Sequence, residues 1–242
     1  MLMKAKPVTL QILGGILFIL GMLASLTLTS GILWGDLEAF SQETGSDGGR
    51  LHLNCPLLLS QEESGIISIR IANPTAEPVM PVIIAQISGR PPLDQTLSLE
   101  PGESQLMEWK VDASSRIFDR IIRVNVFQRR YQELEPRQGS CGILVFSLAG
   151  MPGYATYGVI FGASLALMLV GGFLWRFARA GSKKEGTAGF THASGFLGAL
   201  AVASLFSSLL RWWGLTLMLN ALAVLMVGII VSEFILHPGG KH

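Results

Sequence analysis

Glu233 and Asn220 come nearest to residues that could do chemistry, because each lies inside a long apolar run. An ionisable side chain at mid-bilayer costs about 2.5–3.5 kcal/mol, so one that persists marks either an ion or proton site or a helix end whose charge reaches the interface. Glu233, near the end of its run, fits either description. Asn220 and Gln11 can hydrogen-bond between helices. No paired carboxylates and no Gly/Pro-broken apolar run mark a transport path. The four histidines, His52, His192, His237 and His242, are scattered without metal-ligand spacing. Gly171-Gly172 sits within an apolar run rather than in a phosphate loop, and no serine stands in a nucleophile-elbow context. The expectation is therefore no catalytic residue, no metal, no cofactor and no enzyme. Arg116, Arg120, Arg123, Arg129 and Arg130 alternate with apolar residues, as in a solvated outer sheet face or a basic face toward lipid headgroups or an acidic partner. Asn73-Pro74-Thr75 is excluded as a glycosylation site by its proline.

The elements that would have to position these residues are mostly apolar. Of 242 residues 50% are hydrophobic and only 14% charged, against about 25% charged in soluble domains. Four runs, residues 8–33, 154–177, 190–210 and 214–236, are each long enough to cross a hydrocarbon core of about 30 Å as a helix. Charge orients them. Residues 34–150 hold 10 Lys and Arg against 15 Asp and Glu, while the rest of the chain holds 8 against 2. Seven of those eight cations cluster at Lys4 and Lys6, at Arg176, Arg179, Lys183 and Lys184, and at Lys241, which places those points in the cytoplasm; Arg211 is the one discordant cation, on the outer turn. The expected topology is a leader at 1–7, a linker at 34–50, an extracytoplasmic stretch at 34–153, a cytoplasmic loop at 178–189 and a cytoplasmic tail at 237–242. Trp34, Tyr154, Tyr157, Trp212 and Trp213 would then share the outer interface, where amphipathic rings prefer to lie.

Small residues recur at four-residue spacing along two of these runs: Gly158, Gly162 and Ala166 in one, and Gly195, Ala199, Ala203 and Ser207 in the other. Such stripes let helix backbones approach closely, either within the chain's own bundle or against another subunit.

Between the first two runs the period changes to two. Leu51, Leu53 and Cys55 alternate with polar residues, as do Ile67, Ile69 and Ile71; Val82, Ile84, Leu97 and Leu99 continue the pattern. Turn signals at residues 63–65, 73–78, 89–92 and 101–102 divide residues 51–148 into seven short strands, predicting an antiparallel β-sandwich. The fold class expected is an α+β membrane protein, four helices with the sandwich inserted between the first and second. Cys55 and Cys141 both fall in this stretch. They predict a disulfide tying first strand to last in an oxidising compartment, worth roughly 4 kcal/mol in the chain-entropy model, or else two buried thiols.

Ile67-Ser68-Ile69-Arg70-Ile71-Ala72-Asn73-Pro74-Thr75 and Leu99-Glu100-Pro101-Gly102-Glu103, with the strand spacing, resemble the immunoglobulin-like or fibronectin-like modules that bacteria place outside the membrane. The resemblance covers about 40% of the chain, residues 51–148, and implies a fold but no ligand. It departs from the antibody version in lacking a Trp at the core-strand spacing between the cysteines; Trp109 comes too late. The function expected is that of a non-enzymatic binding or accessory subunit in a bacterial cell membrane. Its partners would be membrane lipid and a protein or neighbouring subunit, with no nucleic acid. A small transporter or channel component using the bundle is the alternative.

Overall fold

The computed structural model describes residues 7–41, 49–131, 134–180 and 188–236. These fall into two units, a helical one on either side in sequence of a strand-rich one, Gly31–Tyr157. The helices are α1 (Pro7–Phe40), α2 (Gly153–Ala180), α3 (Ala188–Leu209) and α4 (Trp213–Leu236). Two of them are long and apolar enough to cross a membrane, over Thr9–Phe40 and Gly153–Ala178; α3 and α4 carry shorter apolar stretches, Gly195–Leu209 and Trp213–Val227, among the described residues. The expected leader, the tail and much of the loop between α2 and α3 lie outside the described residues.

Within the helical unit α1 and α2 meet through glycines. A Cβ on Gly14 would lie 2.7 Å from the Trp175 nitrogen and 2.8 Å from the Gly171 oxygen, and one on Gly21 would lie 2.8 Å from the Ser164 oxygen. From the other side, a Cβ on Gly171 would lie 2.5 Å from the Phe18 nitrogen. Gly14 and Gly21 are seven apart, and a seven-residue step drifts only about 20° around a helix. Phe161 of α2 meets Phe206 of α3 edge to face at 5.7 Å. Between α3 and α4, Arg211 takes a positive φ of 55° in the turn, and Ser207 and Thr216 hydroxyls pair at 2.7 Å.

The strand-rich unit holds eight strands rather than the seven expected, in two sheets. One runs β1 (Leu53–Asn54), β3 (Ser64–Ala72), β6 (Ser104–Asp112); the other runs β2 (Leu58–Leu59), β8 (Arg137–Val145), β7 (Ile121–Gln128), β4 (Val82–Ile87), β5 (Leu93–Thr96). Both sheets contribute to one apolar core. Ile67, Ile69 and Ile71 of β3 and Met107, Trp109 and Val111 of β6 are buried in the same cluster as Ile83, Ala85 and Ile87, Val124 and Val126, and Ile143 and Val145. Burial of a large aliphatic side chain stabilises by about 1.5–3 kcal/mol, so this layer supplies most of the unit's cohesion. Gly89 and Gly102, with φ of 72° and 75°, make two of the expected turns.

Three expectations about elements are corrected. The helix expected to end at residue 33 continues to Phe40, taking in the first part of the 34–50 linker, because Ile32, Gly35 and Ala39 are buried at helical spacing. In β4 the core face is Ile83, Ala85 and Ile87, while Val82 and Ile84 are only half-buried; the run is apolar on both alternations, and a one-residue slip exchanges the faces. The last strand, expected over residues 142–148, begins at Arg137, because Arg137, Gln138, Gly139 and Ser140 are held in register by Gln128, Phe127, Val126 and Asn125 of β7.

Candidate functional site

A disulfide joins Cys55, in the short link between β1 and β2, to Cys141 of β8, across 86 residues of sequence. Both half-cystines belong to the apolar core, so the bridge holds the start of the unit to its last strand as the spacing implied.

The most constructed polar geometry in this unit lies where its two ends meet helix. The final turns of α1 lie against β8. A Cβ on Gly142 would fall inside the Gly35 carbonyl group, so only glycine fits there. The Gly142 N–H faces the side of β8 on which the two-residue β2 provides no neighbour, since the Leu144 and Phe146 N–H groups on that side donate to Leu57 and Leu59. Asp36 supplies the missing acceptor: its Oδ1 takes the Gly142 N–H at 3.1 Å. Two residues on, Glu38 Oε1 receives the Arg123 guanidinium at 3.3 Å, both side chains being about a quarter exposed. At the other end, a Cβ on Gly153, the first residue of α2, would collide with the Leu58 carbonyl. Glu63 Oε2 accepts both the Gly153 N–H at 2.6 Å and the Ser60 N–H at 2.9 Å. A carboxylate on the first N–H of a helix satisfies an orphan donor and meets the positive end of the helix dipole. The first part of the stretch expected as a linker is thus helical and bonded to β8 and β7 through Asp36 and Glu38, which follow the apolar run without a break in helical spacing.

The five arginines do not make one face. Arg123 is turned to Glu38, Arg116 donates to the Ala113 carbonyl and lies 3.7 Å from Asp119, and Arg120, Arg129 and Arg130 are exposed. Asn73 is a buried plug. Its Nδ2 donates to the Glu77, Leu99 and Glu100 carbonyls, and its Oδ1 accepts from the Thr75 N–H and hydroxyl. Arg90 donates to the Lys110 carbonyl at 3.1 Å and forms an ion pair with Asp112. The Ser114 hydroxyl holds the Asp112 carboxyl below its ordinary range against the opposing effect of burial, and the charge and hydrogen bond of Arg90 lower it further. On the outer face of β3 and β6 lies an open concavity of about 550 Å³, lined by Ser64, Gly65, Ile66, Glu108, Trp109 and Lys110.

In the helical unit Asn220 is buried and engaged. Its Oδ1 accepts from the Ser204 hydroxyl at 2.6 Å, and its Nδ2 donates to the Thr29 Oγ1 at 3.2 Å, which joins α1, α3 and α4. Glu233 lies in α4, and its side chain falls outside the described residues. Most of the small-residue series does not pack against the chain's own described helices. Gly158, Gly162 and Ala166 are exposed, as are Gly195, Ala199 and Ala203; Ser207 alone of the set is buried. A four-residue step turns about 40° past one full circuit, so a run of such steps leaves any single face. His52 is exposed, the His192 side chain, His237 and His242 lie outside the described residues, and no group of three His, Cys, Asp or Glu among the described residues is placed to hold a metal ion.

No protein family and no curated protein matches the chain. Solved structures match over 40% of it. One is a CARDB domain of a Pyrococcus furiosus protein, solved in complex with di-metal ions, at 14% identity and TM-score 0.34, with 86% of that domain covered. Another is a β-glucosidase from Listeria innocua in complex with glucose, at 15% identity and TM-score 0.29. A third is a β-glucosidase from Erythrobacter marinus, at 14% identity and TM-score 0.28. The chain spans only 16% and 15% of the length of those two enzymes. Likeness at this level carries no argument about activity. The class defined by the fold is an α+β chain with two sheets and four helices, two of which can cross a membrane.

Proposed function

We propose that the chain is a non-enzymatic multi-pass protein of a bacterial cytoplasmic membrane, with both termini in the cytoplasm. Its Ig-like two-sheet domain contacts a protein, an envelope component or a neighbouring subunit outside. The observation that carries this reading is the double clamp. Asp36 and Glu38 at one end, and Glu63 with Gly153 at the other, fix the strand-rich unit to helical segments at both its ends. A strand-rich unit whose own first and last helical turns are bonded to its strands offers a preformed surface to a partner. Asn220 is taken up by Thr29 and Ser204, which favours a packing role for that amide over the channel or transporter alternative.

The test has two parts. A membrane-impermeant maleimide applied to intact cells should label a cysteine introduced at the exposed Glu108 but not one introduced at Arg176. Photo-crosslinkers on the exposed face of β3 and β6 should then give discrete adducts in native membranes. Labelling of the Arg176 site alone overturns the orientation, and the absence of any adduct overturns the binding role. For the alternative, Glu233→Gln would abolish an ion or proton flux in reconstituted vesicles; an unchanged flux, or none in the parent chain, removes it.

A further inference from the structure

We propose that the free edge of β6 is where two copies of this chain pair, strand to strand and antiparallel, centred on Leu106. The strand is nine residues long and lies at the end of its sheet, with β3 on one side and no described strand on the other. Which backbone groups face outward follows from two hydrogen bonds. The Glu103 carbonyl turns inward to the Asn73 N–H, whereas the Lys110 carbonyl turns outward to Arg90. Successive residues of a strand alternate between its two neighbours, so Ser104, Leu106, Glu108, Lys110 and Asp112 present their N–H and C=O groups to the open side.

This edge is guarded at one end only. Arg90 occupies the Lys110 carbonyl and the Asp112 carboxylate, a charge placed where an incoming strand would dock. Among the described residues Ser104, Leu106 and Glu108 have no such cover, and the central one is a leucine, 52% exposed. The other edges are blunter: β1 and β2 have two residues each, and β5 has four and follows Pro91-Pro92. A long edge bearing an exposed apolar residue, unprotected along half its length, is a template for another strand.

A second copy complements this edge, Leu106 against Leu106 and Ser104 against Glu108, and charge and parity select its register. A partner strand must keep Met107, Trp109 and Val111 on the core side, so a self-pair can be centred only on a residue, not between two. Centring on Glu108 opposes two carboxylates, which is repulsive. Centring on Met107 or Trp109 runs the partner strand into Lys110, where Arg90 is already bound. Centring on Leu106 uses the open positions alone. Leu106 then faces its own copy, and each Ser104 hydroxyl faces a Glu108 carboxylate that can accept from it. About six new ladder bonds form, and the two three-stranded sheets become one of six strands. The pairing depends on the sheet alone and on neither side of the membrane, so it stands apart from the orientation proposed above.

The test uses the full chain in mild detergent, where Cys55 and Cys141 are already bonded to each other and an introduced thiol is the only free one. Directly opposed hydrogen-bonded positions have Cα atoms about 5.5 Å apart, inside the range of about 4.4–6.8 Å that a disulfide spans. Leu106→Cys should therefore give a covalent dimer on mild oxidation. Arg70→Cys, paired with Leu106 but one strand further in, should not. Leu106→Pro deletes an N–H that no strand of its own sheet uses. It should keep the fold and the Cys55–Cys141 bond while weakening association by more than about tenfold in light scattering. A monomeric parent chain, a failure of Leu106→Cys to cross-link, a dimer unchanged by Leu106→Pro, or an edge filled instead by an extended segment of another protein would each overturn the pairing. A monomer in which Leu106→Cys is still labelled on intact cells overturns it while leaving the outward orientation in place.

Discussion

The helical and strand-rich units hold themselves together by opposite means. In the strand-rich unit the interior is β-branched and aromatic, drawn from both sheets and stapled by Cys55–Cys141, as suits a module whose cohesion comes from removing apolar surface from water. In the helical unit large apolar side chains such as Leu169, Phe173 and Met218 point outward, while the contacts are made by Gly14, Gly21 and Gly171 and by the hydroxyl and amide groups of Thr29, Ser204, Ser207, Thr216 and Asn220. Apolar side chains gain nothing by leaving lipid, so what remains to hold helices together is close backbone approach and internal hydrogen bonding. In the helical unit these close contacts and hydrogen bonds add to the burial of Phe18, Met168, Leu197 and Leu205.

That contrast predicts which substitutions each unit tolerates. The largest effect is expected from Cys141→Ser, which should cost the strand-rich unit roughly 4 kcal/mol. Denaturant unfolding followed by the fluorescence of the buried Trp109 would read it, with the helical circular dichroism signal retained at the denaturant concentration where the strands melt. Loss of both signals together would break the independence of the units. Next, Gly142→Val should cost about 1–3 kcal/mol, because the side chain must displace the Gly35 backbone. Gly162→Ala, where a Cβ meets open space, should be neutral or slightly stabilising. Equal effects at the two glycines would show that the clamp does not discriminate. Asn220→Leu should cost roughly 0.6 kcal/mol in helix association, the scale measured for hydrogen bonds between helices in lipid. Thermal stability in detergent would check this; a loss several times larger would make the amide a site rather than a packing group.

The smallest effect belongs to pH. Asp112 is held below its ordinary pKa in the folded chain, so its contribution is present above about pH 3.9, the unfolded value, and fades as pH falls through the lower folded value. Ser114→Ala removes the leading cause and should move the Asp112 titration back toward that ordinary value, as carboxyl carbon NMR would record. An unmoved titration would transfer the cause to Arg90.

Much of this was legible in one dimension. The alternation of Ile67, Ile69 and Ile71 named a core face directly, since a period of two has only two phases and one of them is polar there. The same logic failed at residues 82–87, where both phases are apolar and only the neighbouring β7 decides which one turns inward. Of the clamp, Asp36, Glu38, Glu63 and Gly153 were visible as residue types but not as a set, because what unites them is the unpaired side of β8 and the N-terminus of α2. The glycines that pack α1 on α2, Gly14, Gly21 and Gly171, form no four-residue series, and only the contact between the two helices marks them out.

By itself the sequence determined the partition into apolar helices and a strand-rich insert, the placing of both cysteines in that insert and the direction of most core side chains. These follow from composition and period, which are properties of neighbours along the chain. Only the tertiary structure decided that the first helix runs on to Phe40, that the strand-rich unit is clamped at both ends, and that β6 ends its sheet with Leu106 on an open edge. Each of those depends on which backbone hydrogen-bonding groups find a partner among residues distant in sequence, and no local pattern encodes that.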